Sequence, residues 1–496
     1  MEFVQNLPFF GIVLALFSGV LCSILKRKFA RVVCLGLVTA ELVASLLVLL
    51  FVLRTGESYV YMMGHFPAPW GNEIRVGILE AFTAVFFCVI MLLSILGGLK
   101  HIEEDLEESK ENLFYTMVCL LLSSLLALIY TNDLFTAYVF VEINTISACG
   151  LIVIRQTGRS LVGGVKYMIM SLLGSGLFLI GLCMIYDITG HLLMSNIKES
   201  ITELAATGEY AEPLTIIIAL VSVGLAIKSA LFPFHSWLPD TYGFSTPASS
   251  AIMSSLVSKG YIFLLIKIIY RVIGFDVIVS NRITNVLFVF GLAGMIIGSL
   301  NALKERDIRR MVAYSSVAQI GYIYMGIGLG TVYGMAAALF HIYSHASGKS
   351  LLFIAQSGLT DANGGKKSLL DMKGVGFRNK IAGLGFAVGS LSMVGIPLFA
   401  GFISKYNFAT ASMYSPHKML ATLLVLALST VLNAMYFLRT VIRIYTPTGE
   451  AVKPAESKTG PSFAAAVAVM ALINIAIGTC SGPMMEMIER GLHMFS

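Results

Sequence analysis

Eight ionisable side chains stand where an apolar membrane helix would not hold them unaided. Lys166, Lys228, Lys259, Lys349 and Lys405 lie inside or at the edge of apolar runs. Glu142 lies in YVFVEINTI, and His341 and His345 lie in ALFHIYSHASGKS. A charge in hydrocarbon costs at least ~2.5 kcal/mol on insertion scales, so such groups face one another, a cavity or water, and they mark proton paths by default. His341, His345 and Lys349 follow an i, i+4, i+8 pattern, which stacks them on one helix face about one turn apart. Neutral imidazole accepts a proton at one nitrogen and donates from the other, the chemistry of a relay. A Glu–Lys pair whose separation changes can take up or release a proton. The structural alternative is a set of static ion pairs that tie helices together.

These residues need long helices to carry them, and the composition supplies them. The chain has 496 residues, 57% hydrophobic and 12% charged, against about 25% charged in soluble domains. Apolar stretches near twenty residues recur from end to end, each long enough to span a bilayer, and they lack the alternation of barrel strands. The pattern predicts an all-α polytopic membrane protein with about fourteen spans. The first, Met1–Leu25, lacks a basic leader and is expected to be a span rather than a cleaved signal. Of 34 Lys and Arg, twenty-one fall in odd-numbered loops (Lys453 and Lys458 among them). Eight fall in even loops and the tail, Lys267 and Arg271 included. The positive-inside rule then puts the odd loops in the cytoplasm and both termini outside. The acidic run HIEEDLEESKEN at 101–112 reads as a solvated face that helps start the fourth helix, or as a docking site.

Two spans are expected to be broken. The seventh reads GLAIKSALFPFHSWLPD, with Pro233 just beyond Lys228; the twelfth reads VGIPLFAGFISKYNF, with Gly395, Pro397 and Gly401 before Lys405. Proline and glycine interrupt the hydrogen-bond ladder where a cavity takes over the freed groups, and a lysine beside each break is the mark of discontinuous transport helices. A simple kink is the alternative. The breaks are five spans apart, so helices 4–8 and 9–13 would be inverted repeats. The expected organisation is a three-helix segment (1–112), two five-helix repeats (113–275 and 276–445) and a C-terminal helix (446–496).

At these residues the chain resembles the antiporter-like subunits of Mrp-type sodium/proton antiporters, membrane-bound hydrogenases and respiratory complex I. The resemblance runs in order over roughly residues 60–440. TNDLFTAYVFVEINTIS, KSALFPFHSWLPDTYGFSTPASSAIMSSLVSKGYIFLL, RRMVAYSSVAQIGYIYMGIGLG, ALFHIYSHASGKSLLF and GIPLFAGFISKYNF carry it. YMMGHFPAPWGNEIRVGILEAF is similar to the D-type Mrp subunit and its hydrogenase counterparts, with Glu80 where an aspartate is usual. The resemblance implies proton or sodium/proton translocation. In it Glu142 tunes Lys228, Lys259 passes protons between the halves, His341, His345 and Lys349 continue the axis, and Lys405 ends it. His235 and Asp240 would gate access, with a plain loop role as the alternative; Lys166 is the weakest member, readable as a snorkelling interfacial lysine. It further implies other membrane subunits as partners and, in the redox branches, peripheral subunits carrying iron–sulfur or nickel–iron centres.

Composition and motifs exclude other classes. The seven cysteines form no C-x-x-C pair, so neither zinc nor an iron–sulfur cluster is expected in this chain, and no dinucleotide fingerprint is present. The net charge of +6 sits in short loops without interleaved aromatics, so nucleic acid is not a partner. Two other readings stand beside ion translocation. A stand-alone solute transporter predicts one central polar pocket, and a passive anchor for a redox enzyme needs no buried lysines.

Overall fold

A computed structural model describes residues 2–66, 71–208, 210–447 and 459–495. Lys453 and Lys458 lie outside the described residues, as does part of the 446–496 segment and of the YMMGHFPAPWGNEIRVGILEAF block. The chain opens with α1 (Glu2–Ile24) and α2 (Arg27–Thr55), which Gly56 ends in the left-handed conformation at φ +73°. A hairpin follows: β1 (Tyr59–Met62) pairs antiparallel with β2 (Glu73–Val76), Tyr59 opposite Val76. These strands depart from the all-α expectation; YVYM and EIRV are β-branched or aromatic at alternate positions, the pattern of a half-buried strand.

Next come α3 (Ile78–Asp105), α4 (Glu111–Tyr130), α5 (Leu134–Val153), α6 (Gly158–Thr189), the short amphipathic α7 (Met194–Thr207), α8 (Ala211–Lys228) and α9 (Leu238–Phe244). α10 (Pro247–Ile252) and α11 (Ser258–Ile268) form one rod, joined by a π turn at Met253–Val257 and extended by another at Ile269–Ile273. α12 (Phe275–Ser280), α13 (Ile283–Lys304), α14 (Ile308–Gly328) and α15 (Val332–Ala362) lead to α16 (Val375–Arg378) and α17 (Lys380–Val394). α18 (Ala400–Ser412), α19 (Pro416–Ile444), α20 (Pro461–Thr479) and α21 (Ser481–His493) complete the chain.

Eleven helices among the described residues are long and apolar enough to cross a bilayer. The α14, α15 and α17–α18 segments, which the sequence reading adds to them, are the polar or interrupted ones. α14 carries Arg309, Arg310, two serines and Gln319, α15 carries the His/Lys ladder, and α17 stops at Gly395 with φ +89°. The rod from Pro247 to Ile273 is buried on every side and stands at the centre of the bundle.

The connecting segments segregate by charge. Residues of the hairpin, 131–133 and 192–194 meet on one face, through bridges Ile74–Thr131 and Asp133–Leu193. The basic segments gather on the other, where Asp307 bridges to Ser368. The acidic 101–112 run belongs to this basic face and is not simply solvated. Arg27 meets Glu108 at 2.9 Å and Glu111 at 3.1 Å, Arg31 meets Glu103, and Arg155 meets Asp105 at 2.8 Å.

Candidate functional site

Lys228 is the last residue of α8. The helix ends there because Ala230 turns left-handed (φ +64°) and Pro233 has no N–H to extend a ladder. Its ammonium is fully buried and donates to Thr145 Oγ1 at 2.7 Å on α5; Glu142 Oε1, one turn earlier, is 3.9 Å away. A glycine crossing brings α6 close enough to wall this lysine in: a Cβ on Gly174 would lie 2.7 Å from the Gly224 carbonyl and 3.1 Å from Lys228 Cγ. Thr145 Oγ1 also lies 3.4 Å from the Tyr261 hydroxyl, on α11 two residues from Lys259.

Lys259 is set by the π turn. A wide i→i+5 turn misaligns one backbone carbonyl from the regular ladder, and Lys259 Nζ donates to Ser254 O at 2.5 Å and to Ser258 Oγ at 3.0 Å. Ser254 Oγ in turn reaches Ser316 Oγ on α14 at 3.1 Å. One residue earlier on α14, Ser315 Oγ accepts from Lys349, which also donates to Val312 O at 2.8 Å. From Lys349 the α15 face continues through His345 to His341, their rings 5.9 Å apart and stacked. His341 Nδ1 contacts Ser404 Oγ at 2.6 Å, and its ring stacks on Tyr322 at 5.4 Å. Lys405, next to Ser404 on α18, places its ammonium 5.7 Å from the centre of the Tyr322 ring and donates to Val394 O at 2.6 Å and Thr430 Oγ1 at 2.9 Å. Val394 O is free to accept because α17 ends there at Gly395.

The seven residues Glu142, Lys228, Lys259, Lys349, His345, His341 and Lys405 therefore lie along one file; hydroxyls, a ring or a carbonyl contact Lys228, Lys259, Lys349, His341 and Lys405, while Lys349, His345 and His341 follow one another on the α15 face. Among the described residues, Lys228 is the one lysine of the file with a carboxylate within 4 Å; the others rest on uncharged oxygens. Along the same file both nitrogens of His345 and Gln319 Nε2 have no hydrogen-bond partner among the described residues.

The remaining candidates fall elsewhere. Asp240 is held by Lys166 at 2.5 Å and Arg310 at 3.2 Å, lining an open cavity of about 700 Å³ on the basic face. Lys166 is half exposed, so it is not one of the buried cations. His235 sits on the turn between α8 and α9 with its ring 5.5 Å from Phe232, outside that cavity lining.

The structure also corrects the loop assignment of Lys267 and Arg271. Both are buried in the central rod, because the second π turn prolongs the helix past them. Lys267 donates to Ile129 O at 2.6 Å and Thr131 O at 2.5 Å, capping the orphan carbonyls at the end of α4. Arg271 Nη1 lies 2.7 Å from Glu80 Oε1, both fully buried, with the Phe495 ring 4.2 Å from the guanidinium carbon. Glu41, mid-helix in VTAELVAS of α2, was open to detection by the criterion that singles out Glu142, an acid inside an apolar run. It is buried between α1, α2 and α4.

NADH-quinone oxidoreductase subunit N of Desulforudis audaxviator is 31% identical over 448 residues, 89% of this chain and 86% of that protein. The D-type subunit of the Na(+)/H(+) antiporter of Alkalihalophilus pseudofirmus is 28% identical over 432 residues, 86% of this chain and 84% of its own. Among solved structures, a chain of the membrane-bound sulfane sulfur reductase, an archaeal respiratory membrane complex, superposes with a TM-score of 0.89 at 25% identity, covering 100% of this chain and 98% of that one. A chain of the Mrp complex from Dietzia sp. DQ12-45-1b superposes with a TM-score of 0.87 at 22% identity over 99% and 97% of the two chains, a likeness of fold. The sequence pattern described as NADH:quinone oxidoreductase/Mrp antiporter, TM matches residues 131–432.

Proposed function

The chain belongs to the NADH:quinone oxidoreductase/Mrp antiporter transmembrane family, and from that premise we propose that it moves protons across the cell membrane as one subunit of a multi-protein complex. The observation that carries this reading is the file from Glu142 to Lys405. A static scaffold would match each cation of the file with an acid, whereas three of these four lysines rest on hydroxyls and carbonyls. Such groups hold a lysine whether it is protonated or not, since a hydroxyl both donates and accepts. Glu142 and Lys228, 3.9 Å apart, form the end where charge separation is adjustable.

In this reading the eleven apolar spans together with α14, α15 and α17–α18 make fourteen crossings, with the basic face in the cytoplasm and both termini outside. Segments 113–275 and 276–445 are the two inverted repeats, each with a helix interrupted beside a lysine. His235 and Asp240 serve access from the basic face. Sodium is the exchanged ion only if the complex is an antiporter; redox centres, if the complex holds them, belong to other subunits.

The test is proton flux in vesicles reconstituted with the intact complex, followed with a pH-sensitive dye. Glu142→Gln and Lys405→Met, purified as assembled complexes, are expected to lose flux by about a hundredfold or more, the scale of removing one positioned proton-transfer group. Undiminished flux in both variants would sink the proposal.

A further inference from the structure

We propose that the basic face carries a binding site for the phosphodiester headgroup of an anionic phospholipid. The site is a cavity of about 370 Å³ between the end of α13, the start of α14, the last turns of α19 and the turn at Leu369. Four cations line it: Lys304 and Arg306 from the α13–α14 connection, and Arg439 and Arg443 from α19. The two arginines of α19 are four residues apart and so share one helix face, directed together into the cavity.

The positive charge here is not spent within the protein. Among the described residues Glu305 is the one carboxylate in the lining, and Arg310 Nε holds it at 3.0 Å while it also accepts from the Arg306 backbone N–H. Arg443 donates to the Leu369 carbonyl at 3.2 Å. No acid among the described residues pairs with any of the four. Like charges gathered round one cavity repel unless an anion lies between them, and guanidinium forks match phosphate oxygens in pairs.

The surroundings separate a lipid from a free anion. Leu303 and Leu370 form an apolar wall beside the cations, and Leu370 is 63% exposed. The cavity also lies at the ends of two apolar spans, α13 and α19, where headgroups meet glycerol and acyl carbons. Basic pockets between helix ends are the sites at which such headgroups bind. A free phosphate would use the cations and leave the leucine wall idle.

The experiment compares the intact complex with an Arg439→Gln/Arg443→Gln variant and with a Lys28→Gln/Lys380→Gln control, which removes the same charge elsewhere on the basic face. Retained phospholipid is measured by mass spectrometry after delipidation, and thermal stability is measured on adding phosphatidylglycerol, phosphatidylcholine or glycerophosphate. Wild type and control should retain anionic lipid and be stabilised by phosphatidylglycerol alone. The arginine variant should lose retention by about tenfold, following the loss of two surface-scale cation contacts. An Arg439→Lys/Arg443→Lys variant, which keeps the charge, should retain most of it and guards against misfolding of the glutamine pair. Equal retention in the glutamine variant and the control would overturn the proposal. Stabilisation by glycerophosphate alone would overturn it in favour of a free-anion site. A crosslink from position 439 to an acidic segment of another subunit would overturn it in favour of a protein contact.

Discussion

Lys228 gives its short hydrogen bond, 2.7 Å, to the Thr145 hydroxyl and leaves the Glu142 carboxylate at 3.9 Å. The threonine thus sits between the pair's chemistry and the next stage, since the same hydroxyl lies 3.4 Å from Tyr261 beside Lys259. Thr145→Val keeps the shape and removes the hydroxyl. Under the proposed function, the lysine should move onto Glu142 and the link to α11 should break. Proton flux is expected to fall about a hundredfold or more, in the range of a lost positioned proton-transfer group, with assembly intact. Flux in reconstituted vesicles checks this, and Thr145→Ser should restore it. A Thr145→Val complex as fast as wild type would show that protons do not pass this hydroxyl.

The Glu80–Arg271 pair makes a stability prediction of a different kind. Both groups are fully buried at 2.7 Å, so removing one leaves the other charged without its counter-charge. Glu80→Gln or Arg271→Met is expected to destabilise by about 3–5 kcal/mol, whereas the double change to well-packed apolar residues recovers much of it. Thermal melting of the complex in detergent measures both. Equal losses in single and double variants would mean that the site is held by packing, with Arg271 on Phe495 as the main contact.

Lys367 links stability to pH outside the bilayer. Burial, and then the charges of Arg309 and Arg155, pull its ammonium down from 10.5 to about 8. A cation with a lowered folded value binds fewer protons in the folded state than in the unfolded state between those two pH values. Stability contributed by this group therefore rises as pH increases from about 8 towards 10.5. Lys367→Met removes the cost of the half-buried charge and should be the more stable form at pH 7, with the advantage shrinking as pH climbs through that window. Melting temperatures of the two forms at pH 7, 9 and 10.5 check the sign; an advantage that grows with pH contradicts it.

The buried ionisable residues were legible in the sequence because an apolar run makes any lysine conspicuous, and a ladder at i, i+4, i+8 needs no tertiary information. The breaks were legible for the same reason, in Pro233 and Gly395. What escaped is set by packing. Ser254 becomes a lysine acceptor only because the helix widens at Met253–Val257, and nothing in MSSLVS announces a π turn. Lys267 and Arg271 read as loop charges because two cations in LLIKIIYRVIGF look like a helix end. The apolar residues flanking both were the signal that the helix continued. Their partners, the carbonyls of α4 and Glu80, come from segments more than a hundred residues away.

Glu41 supplies the contrast to Glu80. It is 4% exposed in the middle of α2, and no hydrogen bond or ion pair holds it among the described residues. α1 offers it no cation. Gly11 packs on the carboxyl so closely that a Cβ there would collide with Oε2. Ser45 and Tyr130 share with it a cavity of about 10 Å³, room for about one water. A carboxyl without a cation has no ion pair to lose, so Glu41→Gln, which preserves shape and polar atoms, is expected to leave melting temperature and assembly nearly unchanged. Gly11→Leu should cost about 1–3 kcal/mol by overpacking the same spot. The informative comparison is with Glu80→Gln under identical conditions. If Glu41→Gln in the intact complex proves as damaging as Glu80→Gln, then a cation from another subunit reaches Glu41, and α1–α2 is a subunit interface.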